Sequence, residues 1–273
     1  MFNFIIPSYV KNYLHNNQLF RCINSIRRFH LENIIYIIND SDNDMDYLYD
    51  DIKRKYNNIF IVKSQYRNRG ELLCLKFILD NDNNENYIVI HDSMLLLEPL
   101  VNIENIVNIK FLWSFTNHIV HWDNIIEDMT YYNKSNNIHT HTDLLKDTII
   151  KDYNMNSKFQ EFAIDCLNNK NKWSGCMGLC YITNKKTIKK MNDYLQFIDI
   201  FLKKNDRRNR VVNESIFSII CHYFHQEENF YDAYDGLYYD GIKQPTGYNE
   251  PVGEDNLHFV CKNKYVGKIS FLR

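Results

Sequence analysis

The first hundred residues carry the strongest constraint on this chain. Apolar, β-branched runs alternate with segments of helical spacing, and the later runs each stop at a polar cluster. Phe2–Pro7 is the first run. Residues 17–29 then place Leu19, Ile23 and Ile26 on one face, flanked by Phe20 and Phe29, which is helical spacing. Ile34–Ile38 is the second run and stops at Asn39-Asp40-Ser41-Asp42, and the Tyr/Leu/Ile pattern through 45–56 predicts a second helix. Ile59–Val62 is the third run and stops at Lys63-Ser64-Gln65. Glu71–Leu79 predicts a third helix, and Tyr87–Ile90 is a fourth run stopping at His91-Asp92-Ser93. Strand and helix in alternation predict an α/β fold, a mostly parallel central sheet flanked by helices. The nearly unbroken apolar runs fit strands buried on both faces. Right-handed crossovers then bring all four strand C-termini to one edge, and ligands of open α/β sheets bind beyond that edge.

After residue 100 the pattern loosens. Lys110–Phe115 reads as a further strand, 143–168 as helical, and Tyr131–His141 as a polar loop. Gly175–Thr183 alternates like a strand, 184–204 resumes a helix, and Asn213–His225 reads as a short helix. Glu227–Asp255, rich in Tyr, Asp, Gly and Pro, reads as irregular, and Leu257–Cys261 as a last strand. No repeat or linker divides the chain, so residues 1–273 are expected to form one domain, with 1–100 as a ligand-binding half and 101–273 completing the site.

Composition narrows the class. Lys plus Arg number 32 against 34 Asp plus Glu, a formal charge of −2, which lacks the basic footprint of a nucleic-acid binder. The apolar fraction of 45% is enough to drive folding. The apolar runs fall short of the roughly 18 residues that span a bilayer, and the N-terminus lacks a signal-peptide pattern. Seven cysteines without a Cys-x-x-Cys pair read as free thiols of a reducing, cytoplasmic compartment. Cys176 and Cys180 read as small buried hydrophobes, and the pairs His118/His121 and His139/His141 lack zinc-site companions. Asn and Ile abound while Ala occurs only at positions 163 and 233, a bias of AT-rich coding. With only 8 Gly and 4 Pro, each of these residues is more informative than usual.

No Gly-x-Gly-x-x-Gly or P-loop follows the first strand, which argues against an NAD enzyme or a P-loop ATPase. The motifs that are present resemble another family. Phe4-Ile-Ile-Pro-Ser-Tyr9 resembles the opening strand of GT-A type glycosyltransferases, whose Pro-Thr/Ser-Tyr turn meets a nucleotide. Ile34-Ile-Tyr-Ile-Ile-Asn-Asp40-Ser41 resembles their second strand, ending in an acid for the base or ribose. Arg67-Asn-Arg-Gly70 lies where they have a turn opening a helix. Tyr87-Ile-Val-Ile-His-Asp92-Ser-Met94 resembles the strand leading to their Asp-x-Asp motif, and Trp173-Ser-Gly-Cys-Met-Gly178 resembles an acceptor-side glycine turn. The match is best over 2–94 and patchy to about 225. With the coding bias, the chain looks like a glycosyltransferase of a giant virus, acting in the host cytoplasm.

The resemblance implies transfer of a sugar from a nucleotide-sugar donor, a UDP-sugar, to a hydroxyl on a glycan or protein acceptor. It places Pro7, Ser8, Tyr9, Asp40, Arg69, Asp92 and Ser93 at the donor, Trp173 and Gly175 on the acceptor side, and Glu214 as a catalytic base at the start of a late helix, with Arg210 beside it. It also implies Mn²⁺ or Mg²⁺ against the diphosphate, but Met94 stands where the second acid belongs, and a thioether is a poor ligand for hard cations. Three solutions stay open: Asp92 alone with phosphate and water; Asp92 completed by His91 or by Asp255 and His258; or cationic side chains such as Arg67 or Arg69 in place of metal. Two other functions also stay open. A non-catalytic nucleotide-sugar binder or assembly protein is favoured by the missing acid. A nucleotidyltransferase is disfavoured because Pro7-Ser-Tyr-Val-Lys11 contains no glycine.

Overall fold

Strand β1 (Phe2–Ser8) forms the middle of the sheet, with β2 (Ile35–Asn39) on one side and β4 (Asn86–Val89) on the other. Strand β3 (Ile59–Lys63) closes the β2 edge, and β9 (Tyr181–Asn184) followed by β6 (Lys110–Phe111) extends beyond β4, giving the order β3-β2-β1-β4-β9-β6. The first four strands are mutually parallel. Strand β9 is antiparallel to both β4 and β6, so it alone runs against the other five. The expected mostly parallel α/β sheet flanked by helices is what forms. This computed structural model describes residues 2–82, 86–103, 106, 108–112, 114–115, 141–169, 173, 175–203, 207–224, 238–239, 259–262 and 266–269.

Two apolar cores lie on opposite faces, and the two-residue period of the strands divides the residues between them. Phe4, Ile6, Ile35, Ile37, Ile88, Ile90 and Ile182 pack in one core with Leu19, Cys22, Ile23 and Ile26 of helix α1 (Tyr13–Phe29) and Ile52 of α2 (Asp50–Lys55). Ile5, Ile38, Tyr87, Val89 and Tyr181 face the other core. It is built from α3 (Leu72–Asp80), α4 (His141–Asp152), α5 (Ser157–Asn168), α6 (Lys185–Leu195), α7 (Phe197–Lys203) and α8 (Arg207–Phe224).

Several boundaries differ from the sequence reading. Residues 143–168 form two helices because Asn156 caps the second, accepting the Phe159 N–H at 3.0 Å. The 184–204 segment breaks at Gln196, which adopts a left-handed φ of 51°. The 45–56 helix is a 3₁₀ segment at Asn43–Tyr49 leading into α2. Lys110–Phe115 is split between β6 and β7 (Ser114–Phe115), and β7 pairs with β8 (Gly175–Cys176) and β10 (Tyr238–Tyr239) in a small second sheet. The late helix begins at Arg207, six residues earlier than expected. A third small sheet was not foreseen: β5 (Met94–Leu96) pairs with β12 (Val266–Ile269), which pairs with β11 (Phe259–Lys262). Among the described residues no helix is long and apolar enough to cross a membrane.

Candidate functional site

The strand ends meet in register. Ser8 closes β1 opposite Asn39 of β2, and Asn39 lies opposite Lys63 of β3. Past β4 the chain turns at Asp92, whose Oδ2 accepts the Tyr9 N–H at 3.2 Å. The ends of the two central strands are therefore bonded to each other. Tyr9 also reaches the neighbouring loop electrostatically: burial raises its phenol pKa, and the charges of Asp42 and then Asp40 raise it further against the pull of Arg67. Tyr9, Asp40 and Asp92 thus share one rim.

A buried hydroxyl cluster staples the first two loops under that rim. Tyr49 OH lies 3.2 Å from Ser8 Oγ and 2.7 Å from Ser41 Oγ, and the Val10 N–H donates to Ser41 Oγ at 2.7 Å. Burial pushes the Tyr49 phenol up to about 12. Ser8, expected at the donor, is 2% exposed and its hydroxyl belongs to this staple. Pro7, buried in β1 opposite Ile38, meets the rim only through the chain that follows it. Ser93 is half-buried in the turn after Asp92.

Asp40 is likewise engaged with the protein's own polar groups. It is 4% exposed, and its carboxylate accepts the backbone N–H groups of Asn68 (3.1 Å), Arg69 (3.2 Å) and Gly70 (3.2 Å). Left-handed φ angles at Asn68 (59°) and Gly70 (52°) curl these N–H groups into a concave nest, a typical cradle for an anion. Here the anion is an internal carboxylate, that of Asp40. The Arg69 guanidinium likewise turns inward, donating to Leu202 O at 2.7 Å and to Arg67 O at 2.5 Å, where a phosphate contact was expected. Arg67 pairs with Asp42 at 3.3 Å, and Lys63 bonds Asp46 at 2.6 Å and Ser41 O at 2.8 Å.

On the other side of the rim, His91, Gly178 and Glu214 form a linked set that the sequence did not reveal. His91 Nε2 meets Gly178 O, and the Gly178 N–H donates to Glu214 Oε2 at 3.1 Å. Gly178 has φ +58°, and a Cβ there would sit 2.9 Å from His91 Cε1. The available clue was scarcity: in a chain with 8 glycines, Gly178 marks a backbone position other residues fill poorly. Glu214 is 7% exposed and lies two turns inside α8, not at a helix start, so a helix N-terminus does not stabilise its charge. Of its expected partner Arg210, only the backbone is described.

Trp173, expected on the acceptor side, is 1% exposed among the core residues, and its indole N–H donates to Cys166 O at 3.0 Å. Gly175 is buried in β8, paired with Phe115. Cys22, Cys74, Cys166, Cys176, Cys180 and Cys221 are buried free thiols.

The donor set for a divalent cation is thin. Met94 is 2% exposed, with its sulfur 3.1 Å from Cys180 Sγ, so the position of the second acid points into the core. His91 is engaged with Gly178 O, and Asp255 and His258 lie outside the described residues. Among the described residues no three His, Cys, Asp or Glu side chains gather as a metal site. The described residues around Asp92 therefore do not fit the two-carboxylate arrangement that the resemblance implies.

No family model matches the chain, and no curated protein matches it in sequence. Solved structures do resemble it. The galactosyltransferase LgtC in complex with donor and acceptor sugar analogues aligns at 9% identity and a TM-score of 0.38, over 80% of this chain and 70% of LgtC. Core-mannan synthase A (CmsA/Ktr4) from Aspergillus fumigatus, in its Mn/GDP form, aligns at 9% identity and a TM-score of 0.41, over 80% of this chain and 69% of that one.

Proposed function

We propose that this protein binds a nucleotide sugar at the rim formed by the C-terminal ends of β1 to β4 and transfers the sugar to a hydroxyl acceptor, as a GT-A type glycosyltransferase. The observation that carries the proposal is the bond between the Tyr9 N–H and Asp92, which joins the two strand-end motifs of the family resemblance at one point. In this proposal the exposed face of Tyr9 packs on the base, and Asp92 and Ser93 lie toward the diphosphate. The C1–O bond to the diphosphate breaks and its electron pair leaves on the phosphate oxygen. The acceptor oxygen bonds to C1, and its proton passes to Glu214, one peptide from His91 and the Asp92 turn. A UDP-sugar is the donor proposed first, and a viral origin and a cytoplasmic setting complete the proposal.

The test is sugar transfer or hydrolysis from UDP-sugars and GDP-sugars, with calorimetric binding of UDP and GDP in parallel. Asp92→Ala is expected to lower turnover by about a hundredfold or more. Glu214→Gln keeps an oxygen for the Gly178 N–H, so it is expected to retain nucleotide binding while losing turnover by about a hundredfold. Full activity in Glu214→Gln restricts Glu214 to holding the glycine turn. Nucleotide binding without turnover in the wild type replaces the enzyme with a nucleotide-sugar binder, the reading that the buried Met94 favours.

A further inference from the structure

We infer that Lys11 supplies the positive charge that meets the donor diphosphate at the Asp92 corner, so that nucleoside-diphosphate binding does not depend on a divalent cation. This deepens the proposed function and rests on it. A departing diphosphate needs a cation or a clamp of donors. The described residues supply one carboxylate, Asp92, because the second position of the motif is Met94 in the core.

The other basic side chains of these loops already hold protein partners. Arg67 pairs with Asp42, the Arg69 guanidinium donates to two backbone carbonyls, and Lys63 bonds Asp46 and Ser41 O. Lys11 differs in placement. It lies two residues beyond Tyr9, it is exposed, and its Nζ lies 5.2 Å from the centroid of the Tyr9 ring. The Tyr9 backbone N–H is the group bonded to Asp92. Carboxylate and ammonium therefore both meet at Tyr9, one at its backbone N–H and the other at its ring. A diphosphate whose base packs on Tyr9 lies within reach of that ammonium. His15 belongs to the same corner: its Nδ1 accepts the Lys11 N–H at 3.3 Å, and burial, followed by the Lys11 charge, lowers its pKa. The neutral ring this favours leaves Lys11 as the charged group there.

The experiment is calorimetric titration of the full chain with UDP, GDP, uridine and guanosine, each in EDTA and in Mn²⁺, for wild type, Lys11→Ala and Lys11→Arg. Lys11 is exposed, so both variants are expected to melt as the wild type does. The wild type is expected to bind its diphosphate in EDTA within about threefold of its affinity in Mn²⁺. Lys11→Ala is expected to weaken the diphosphate by about tenfold or more and leave the nucleoside within about twofold, while Lys11→Arg stays within about threefold of wild type. Equal diphosphate affinity in wild type and Lys11→Ala, or binding that appears only with Mn²⁺, overturns the role of Lys11 and leaves the glycosyltransferase proposal standing. A wild type that binds neither diphosphate in either condition overturns that proposal and Lys11's role with it.

Discussion

Replacing Gly178 with alanine tests the junction between the Asp92 turn and α8. Two costs are visible. Gly178 sits at φ +58°, where an L-residue loses roughly 1–2 kcal/mol. The new Cβ would also lie 2.9 Å from His91 Cε1 and 3.0 Å from its Nε2, so the ring must move and its bond to Gly178 O weakens. Losing one such bond costs about 1 kcal/mol. Together Gly178→Ala is expected to lower stability by about 2–3 kcal/mol, read as a shifted urea midpoint at constant slope. A cycle with His91→Ala separates the terms. Without the ring only the backbone cost persists, so the double variant should be less destabilised than the sum of the singles by about 1 kcal/mol. Additive singles would refute the close approach, and a loss below about 0.5 kcal/mol in Gly178→Ala would refute the backbone strain as well.

Two further predictions concern the residues beneath the rim. Restoring the second acid of the motif as Met94→Asp is expected to cost about 4 kcal/mol, because the carboxylate would be buried beside Cys180, and Mn²⁺ should not recover the lost melting temperature; recovery by Mn²⁺ would show that position 94 can reach an ion. Tyr49 titrates near 10 when unfolded and about 12 when folded, so its contribution is complete below pH 10 and is lost as pH rises to 12, about 3 kcal/mol in all. Urea midpoints from pH 8 to 12 should therefore fall, and fall less steeply above pH 10 in Tyr49→Phe; parallel profiles would refute the assignment. The buried thiols of Cys22, Cys74, Cys176 and Cys221, their pKa values raised by burial, add loss of the same sign in both proteins.

The parallel half of the fold was legible because its signal is local. Each apolar run from Phe2 to Ile90 is a strand within a residue or two, since a strand buried on both faces admits little else. Asparagine hid what came later. Its abundance read as coding noise, yet Asn12, Asn156 and Asn184 each cap a helix by accepting a backbone N–H, and Asn58, Asn68 and Asn102 each hold a left-handed φ. In a chain with few glycines, asparagine takes over the turns that glycine usually makes. At the site, sequence order located the strand ends but not the direction of their side chains. Ser8, Asp40 and Arg69 all stand by the rim, and all three spend their polar atoms inside the protein. The burial of Trp173 was illegible for a similar reason: a glycine turn beside it says nothing about which layer its ring enters.

Whether this corner carries one carboxylate or two is decided by where the chain leaves the rim. After Asp92 it turns immediately, with the Met94 N–H returning to His91 O at 3.0 Å, and begins β5 at Met94. That strand leaves the main sheet, pairs with β12, and is fastened to α1 through the Leu96 N–H and Ser25 Oγ at 2.9 Å. All three of its residues are buried, so a carboxylate at position 94 would have to enter the core shared with Leu19, Ile23 and Ile90. A second acid is thus excluded by the path of the backbone as much as by the choice of methionine. A charge needed at this corner has to come from an element that stays on the surface, and the segment after β1 does so. It passes the Asp92 carboxylate at Tyr9 and carries its ammonium two residues later, before Asn12 caps α1.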